Sequence, residues 1–188
     1  MAAVVSAEVP QLPARTVAGA QVAWRIIAAT WDTTMERAQA MPESRLHERV
    51  GGEWSFVQTL RHLVYATDAW VRRAILGEPE PYHRLGLPPD PDPGEEPPDV
   101  RPWGIDIDAD PSFAEVVGVR RDRTATVQRV IEGLTPAEYS RICAQHPAPG
   151  FPPVTRFPVS LGLDVVLGEE WAHHAYAVRD LDALDARA

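Results

Sequence analysis

The sequence contains no lysine, a single cysteine and no long apolar run. All 18 basic residues are arginine, which is typical of a strongly GC-biased genome. One cysteine cannot form an intrachain disulfide, as is usual for proteins of a reducing cytoplasm. No apolar run approaches the ~20 residues that span a bilayer, and residues 1–13 lack the basic start and apolar core of a signal peptide. We therefore expect a cytoplasmic protein without a membrane segment.

Acidic residues are in excess and are concentrated in one stretch. The formal net charge is −9, which argues against nucleic acid as a partner. Residues 77–110 contain ten acidic residues and only two arginines, together with many prolines. Proline interrupts helices and sheets, so this stretch is predicted to be a long crossover with little regular structure.

Apolar residues recur at three- to four-residue spacing in four long stretches, and no strand-like alternation accompanies them. Asp110 and Pro111 predict a helix start, with Asp as the cap. We predict an all-α four-helix bundle in a single domain, residues 1–188, with an N-terminal tail at 1–13 and the crossover at 77–110 between helices 2 and 3. The predicted helices cover residues 16–41, 55–77, 110–133 and 159–184, with a short helical turn at 135–138.

The last predicted helix carries two carboxylates and two imidazoles in the stretch EEWAHH, residues 169–174. Glu170 and His174 are four residues apart and lie on an otherwise apolar helix line, so we expect both side chains in the interior. Glu169 and His173 lie on a more polar line, nearer the rim. A buried carboxylate and imidazole need a partner, which is either a metal ion or a mutual hydrogen bond.

Two blocks of the sequence resemble DinB-like proteins. Residues 52–63, GEWSFVQTLRHL, and the continuation ATDAW at 66–70 are similar to the second helix of that superfamily. Residues 169–181, EEWAHHAYAVRDL, are similar to its last helix. The superfamily includes mycothiol-dependent maleylpyruvate isomerases and bacillithiol S-transferases. The resemblance implies a metal-binding four-helix bundle.

The resemblance also implies a ligand set, with one His from the second helix and two ligands four residues apart on the last. It assigns the metal to His62, Glu170 and His174. Many members have His-x-x-x-His on the last helix, whereas Glu170-x-x-x-His174 is similar to the isomerase branch. The implied ion is divalent: zinc, with nickel, manganese and iron as alternatives. The characterised isomerases carry an additional C-terminal domain that the resemblance does not cover here.

The function implied is a metal-dependent S-transferase that activates a low-molecular-weight thiol for attack on a small-molecule electrophile. Mycothiol is the favoured thiol, because the lysine-free composition suits actinobacteria, which make it. A non-enzymatic, stress-linked bundle with a structural metal and a metal-dependent hydrolase remain open alternatives. Neither nucleic acid nor a membrane is expected as a partner, and a homodimer is an open prediction.

Other residues carry weaker signals. Tyr176 and Arg179 are candidates for contact with an anionic cofactor near the mouth of the site, although Arg179 and its neighbour also suit a helix-end salt bridge. Cys143 and His146 are three residues apart but have no partner pair, so an incidental role is expected. Three arginines of the third helix are predicted to form a solvated face, namely Arg120, Arg121 and Arg123.

Overall fold

A computed structural model describes residues 9–91 and 93–187. All the regular secondary structure in these ranges is helical. Residues 1–8 of the predicted tail and Asp92 of the predicted crossover lie outside the described residues. The predicted all-helical class is confirmed. Among the described residues, no helix combines the length and apolar character required to cross a membrane.

Four long helices dominate the chain, at the places that the apolar periodicity predicts. The second of them, α3 (Phe56–Thr67), continues without a break into a π-helix, Asp68–Ile75. There the amide of Leu76 donates a hydrogen bond to the carbonyl of Val71, five residues earlier. The elements are α1 (Val17–Gln39), α2 (Glu43–Leu46), α3 (Phe56–Thr67), the π-helix Asp68–Ile75, a 3-10 turn Arg101–Trp103, α4 (Phe113–Glu132), α5 (Pro136–Ser140) and α6 (Val159–Asp185).

The start of α4 differs from the prediction, because Ser112 is the cap rather than Asp110. The backbone amide of Glu115 donates a hydrogen bond to the hydroxyl of Ser112, and the backbone amide of Ser112 donates one to the Glu115 carboxylate. This reciprocal pair satisfies two helix-end amides at once, which a lone Asp followed by Pro does not offer. The same arrangement, between Ser55 and Gln58, opens α3.

Each long helix packs against two others. α1 contacts α4 and α6, and α3 contacts the same two helices from the other side. The apolar side chains between them are almost fully buried, as for Ile27, Leu60, Val127 and Leu167. Burial of such side chains is the main contribution to stability, at roughly 1.5–3 kcal/mol each. The α3–α6 contact brings His62 of α3 to Glu169, near the middle of α6.

The described residues between the π-helix and α4 are irregular apart from the 3-10 turn, yet the segment is anchored on α3. Arg61 of α3 is 3% exposed, and its guanidinium donates to the carbonyls of Leu85, Asp106 and Ala109 at 3.0, 2.8 and 2.6 Å. The amide of Leu87 also bonds the carbonyl of Arg61. A buried arginine therefore holds two parts of this segment against α3, one at Leu85 and the other at Asp106 and Ala109.

Candidate metal centre

His62 lies on the side of α3 that faces α6, and it is 5% exposed. Its Nδ1 is 3.1 Å from the carbonyl oxygen of Leu87. A carbonyl only accepts hydrogen bonds, so Nδ1 carries the proton and the neutral ring has its lone pair on Nε2. This Nε2 is 3.3 Å from Oε2 of Glu169. The anchored segment thus sets the tautomer of His62 and turns Nε2 toward α6.

His173 is oriented in the same way by its own helix. Its Nδ1 is 2.9 Å from the backbone carbonyl of Glu169, one turn earlier. The lone pair of a neutral His173 is therefore also on Nε2. A metal-ligating histidine usually donates its second ring nitrogen to a carbonyl or carboxylate, and both His62 and His173 do so.

The three side chains form a compact cluster between α3 and α6. One ligand atom from each of His62, Glu169 and His173 lies within 4.8 Å of the other two, and no other His, Cys, Asp and Glu trio in the described ranges does this. The two imidazole centroids are 4.6 Å apart, and Trp54 packs on both rings at 4.9 and 6.3 Å. Two nitrogens and one carboxylate oxygen are a common donor set for a divalent ion, and three ligands leave positions for water or substrate.

The protonation states within the cluster suit a metal. A neutral Nε2 of His62 and an ionised Oε2 of Glu169 are both acceptors, so their approach at 3.3 Å requires a cation or an added proton between them. A hydrogen bond donated by a proton on Nε2 of His62 lowers the pKa of Glu169, against the effect of burial, and a cation at the same place would act in the same direction. Burial lowers the pKa of His173 because it penalises the imidazolium. Both shifts favour the ligand forms, carboxylate and neutral imidazole.

The sequence model of a family described as the DinB superfamily matches residues 26–177, which include the whole cluster. The chain belongs to the DinB superfamily. No curated protein and no solved structure matched the chain. The DinB superfamily is metal-binding, and the His/Glu cluster gives this member a group of residues that could hold a metal ion.

In this DinB-superfamily chain, Glu170 and His174 do not join His62. Glu170 is 1% exposed, as expected, but its Oε2 accepts a hydrogen bond from Nη2 of Arg120 on α4. His174 faces α1, where its Nε2 is 2.9 Å from Oγ1 of Thr34. The structure therefore gathers His62 with the neighbouring pair, Glu169 and His173, which the helix lines placed nearer the rim.

Burial raises the pKa of Glu170, and its attraction to Arg120 opposes that shift. The carbonyl of Glu170 also accepts Nε1 of Trp31 at 3.2 Å. One carboxylate oxygen, Oε1, and one guanidinium nitrogen, Nη1 of Arg120, are buried without a partner in the described residues. Glu170 is thus committed to a salt bridge in the interior between α4 and α6.

Two arginines of α4 correct the predicted solvated face. Arg120 and Arg123 are 5% and 6% exposed, whereas Arg121 is exposed. Arg123 donates to Oδ1 of the fully buried Asp68 at 2.8 Å. The sequence contained a signal for the burial of these two arginines. They share one helix line with two buried valines, Val116 and Val127, and successive residues of that line are four, three and four positions apart.

A cavity of about 370 Å³ opens beside the cluster. Trp54, His173 and Tyr176 are among its lining residues. Arg179 is not among them; its guanidinium bonds Glu53 at 2.7 Å and Asp180 at 2.8 Å. Of the two candidates for cofactor contact, Tyr176 is therefore placed at the mouth of the site and Arg179 is held in an ion-pair network.

Proposed function

We propose that the protein binds one divalent ion through His62, Glu169 and His173, and that it is a metal-dependent S-transferase. The observation that carries the metal site is the pair of histidines whose Nδ1 atoms are held by carbonyls, which leaves the lone pair of each neutral ring on Nε2. The proposal takes Glu169 and His173 as ligands in place of Glu170 and His174, which have partners on α4 and α1.

The packing of the long helices supports a four-helix bundle with residues 77–110 as its crossover. α1, α6, α3 and α4 contact one another in a closed ring. Sites in such bundles usually lie between facing helices. The cluster lies between α3 and α6, and Leu87 of the crossover contributes the carbonyl that orients His62.

When bound by His62, Glu169 and His173, a divalent ion would lower the pKa of a thiol at an open position and so make a thiolate available at neutral pH. The chain supplies a ligand trio with a single negative charge, on Glu169. Leu87 and the helix backbone fix the two imidazoles, and Trp54 packs on both of them. The adjacent cavity of about 370 Å³ is large enough to admit an electrophile, with Tyr176 at its wall.

We propose zinc as the ion, mycothiol as the thiol and the cytoplasm as the location. The lysine-free composition supports mycothiol through its association with GC-rich actinobacteria. Glu169 and His173 are four residues apart, as are Glu170 and His174. The new pair therefore keeps the Glu-x-x-x-His spacing that supports the thiol-using branch of the superfamily.

The deciding experiment adds thiols to cobalt-substituted protein. Mycothiol should produce a sulfur-to-metal charge-transfer band, and its conjugation to a monochlorobimane-type probe should require both the metal and His62. His174→Ala is the matched control and should keep both signals. If mycothiol, bacillithiol, glutathione and cysteine all leave the cobalt spectrum unchanged, thiol transfer is wrong, and a hydrolase or a structural metal is the better account.

A further inference from the structure

A second cavity, of about 390 Å³, lies between the π-helix and two proline-rich loops. Arg73 of the π-helix forms part of its lining and is 1% exposed. Within the described ranges, no carboxylate lies within salt-bridge distance of this guanidinium, unlike Arg120 with Glu170. A buried charge without a counter-ion is unfavourable. The cavity therefore has a feature that an anion would stabilise.

The hydrogen-bond partners of Arg73 are all neutral. Nη2 donates to the carbonyl of Ala148 at 2.8 Å, and Nη1 contacts Nδ1 of His146. A guanidinium only donates, so Nδ1 accepts and His146 carries its proton on Nε2, which is 2.9 Å from the carbonyl of Glu78. The imidazole thus provides no negative charge.

Arg61 shows how a buried arginine is satisfied when its role is only to hold a loop. All three of its nitrogens donate to carbonyl oxygens. Arg73 reaches one carbonyl and one imidazole, and its Nε is buried without a partner in the described residues. Arg73 therefore retains unused donors. It also belongs to a π-helix, a geometry found frequently at functional sites.

Two aromatic side chains, Tyr82 and Trp103, also line the cavity. The rings of Tyr82 and Trp103 are stacked, with centroids 5.3 Å apart and planes at 19°. The hydroxyl of Tyr82 donates to the carbonyl of Phe151 at 2.7 Å, which fixes the ring. Burial raises the pKa of Tyr82 to about 12, so the phenol stays neutral beside an anion. A planar apolar group can pack on this pair.

We propose that this cavity binds a small molecule with a carboxylate on a planar apolar body. The carboxylate pairs with Arg73, and the body packs against Tyr82 and Trp103. The site is separate from the metal ligands and does not depend on the proposed transferase activity. The competing account is that exposed Glu80, which also lines the cavity, acts as the counter-ion of Arg73.

Calorimetric titration of the full chain with benzoate and with the uncharged benzamide tests this site. We expect one benzoate per chain, with benzamide at least about tenfold weaker because it lacks the charge. Trp103→Ala should weaken benzoate several-fold without changing the helical circular dichroism, and Arg73→Met should abolish binding. If Arg73→Met does not fold, the comparison with benzamide and the Trp103 variant still decide.

Two controls separate this site from the alternatives. Chelator-treated protein should bind benzoate unchanged; loss of binding there would mean that the carboxylate sits on a metal. Glu80→Gln should leave benzoate binding unchanged or tighten it, because it removes a competing acid. Equal binding of benzoate and benzamide, or no binding of either, would overturn the proposal and leave Arg73 as a structural link to the loop at Ala148.

Discussion

Glu169 and Glu170 are consecutive on α6, and their carboxylates have different partners on different helices. Glu169 approaches Nε2 of His62 on α3, and Glu170 pairs with Arg120 on α4. Two adjacent residues thus place a half-buried carboxylate beside His62 and a fully buried one inside the fold. Because the first has no arginine partner in the described ranges, it keeps a free oxygen for a cation.

The first prediction concerns which pair on α6 holds the metal. Glu169→Ala and His173→Ala should lose most of the bound ion, as should His62→Ala, because each removes one of three ligands. His174→Ala should retain it. Elemental analysis of protein purified without a nickel column measures the content. Retention in His173→Ala together with loss in His174→Ala would restore the ligand set His62, Glu170 and His174 that the resemblance implies.

The second prediction concerns the dependence of metal binding on pH. Protonation of an imidazole removes its lone pair, so the ion is released as the pH falls. Burial lowers the pKa of His173, so its ring stays neutral below the value of about 6.5 for an ordinary histidine. The lowered pKa of Glu169 acts in the same direction.

We therefore expect little release at pH about 6.5 and release only in more acidic buffer. A metal-sensitive dye can follow this across a pH series. His47→Ala, which changes a histidine near Glu43 on the surface side of α2, should give the same curve. Half-release above neutral pH would contradict the assigned ligand states.

The third prediction concerns the anchored segment. Residues 93–99 are exposed, whereas Arg61 holds the flanking regions near Leu85 and Ala109. A protease that cleaves after acidic residues should therefore cut first after Glu95, because Pro97 blocks the bond after Glu96. Arg61→Met should add early cuts after Asp106 and Asp108, because it releases the carbonyls of Asp106 and Ala109. An early cut within a long helix of the unmodified protein would contradict this order.

Helix positions could be predicted from the sequence, because apolar periodicity reports directly which face is buried. The choice between Glu169 and Glu170 could not. Both pairs have the same four-residue spacing, and one position on a helix changes the direction of a side chain by about 100°. The outcome depends on Arg120, which lies 50 residues away. Only its helix line, shared with Val116 and Val127, indicated that it was buried.

The last prediction concerns the Arg120–Glu170 pair. Removing one partner leaves the other charge buried and unpaired, so Arg120→Ala should reduce the free energy of unfolding by about 3–5 kcal/mol. Arg121→Ala, at an exposed neighbouring position, should change it by less than about 0.5 kcal/mol. Urea unfolding followed by circular dichroism measures both.

The double variant Arg120→Met with Glu170→Leu separates the cost of an orphaned charge from the value of the pair. Two apolar side chains of similar size remove both charges together, so the double variant should be close to the unmodified protein in stability and clearly more stable than Arg120→Ala. It should also keep its metal, because Glu170 contacts Arg120 and not His62. A double variant that folds but has lost its metal would place Glu170 in the metal site and overturn the ligand assignment.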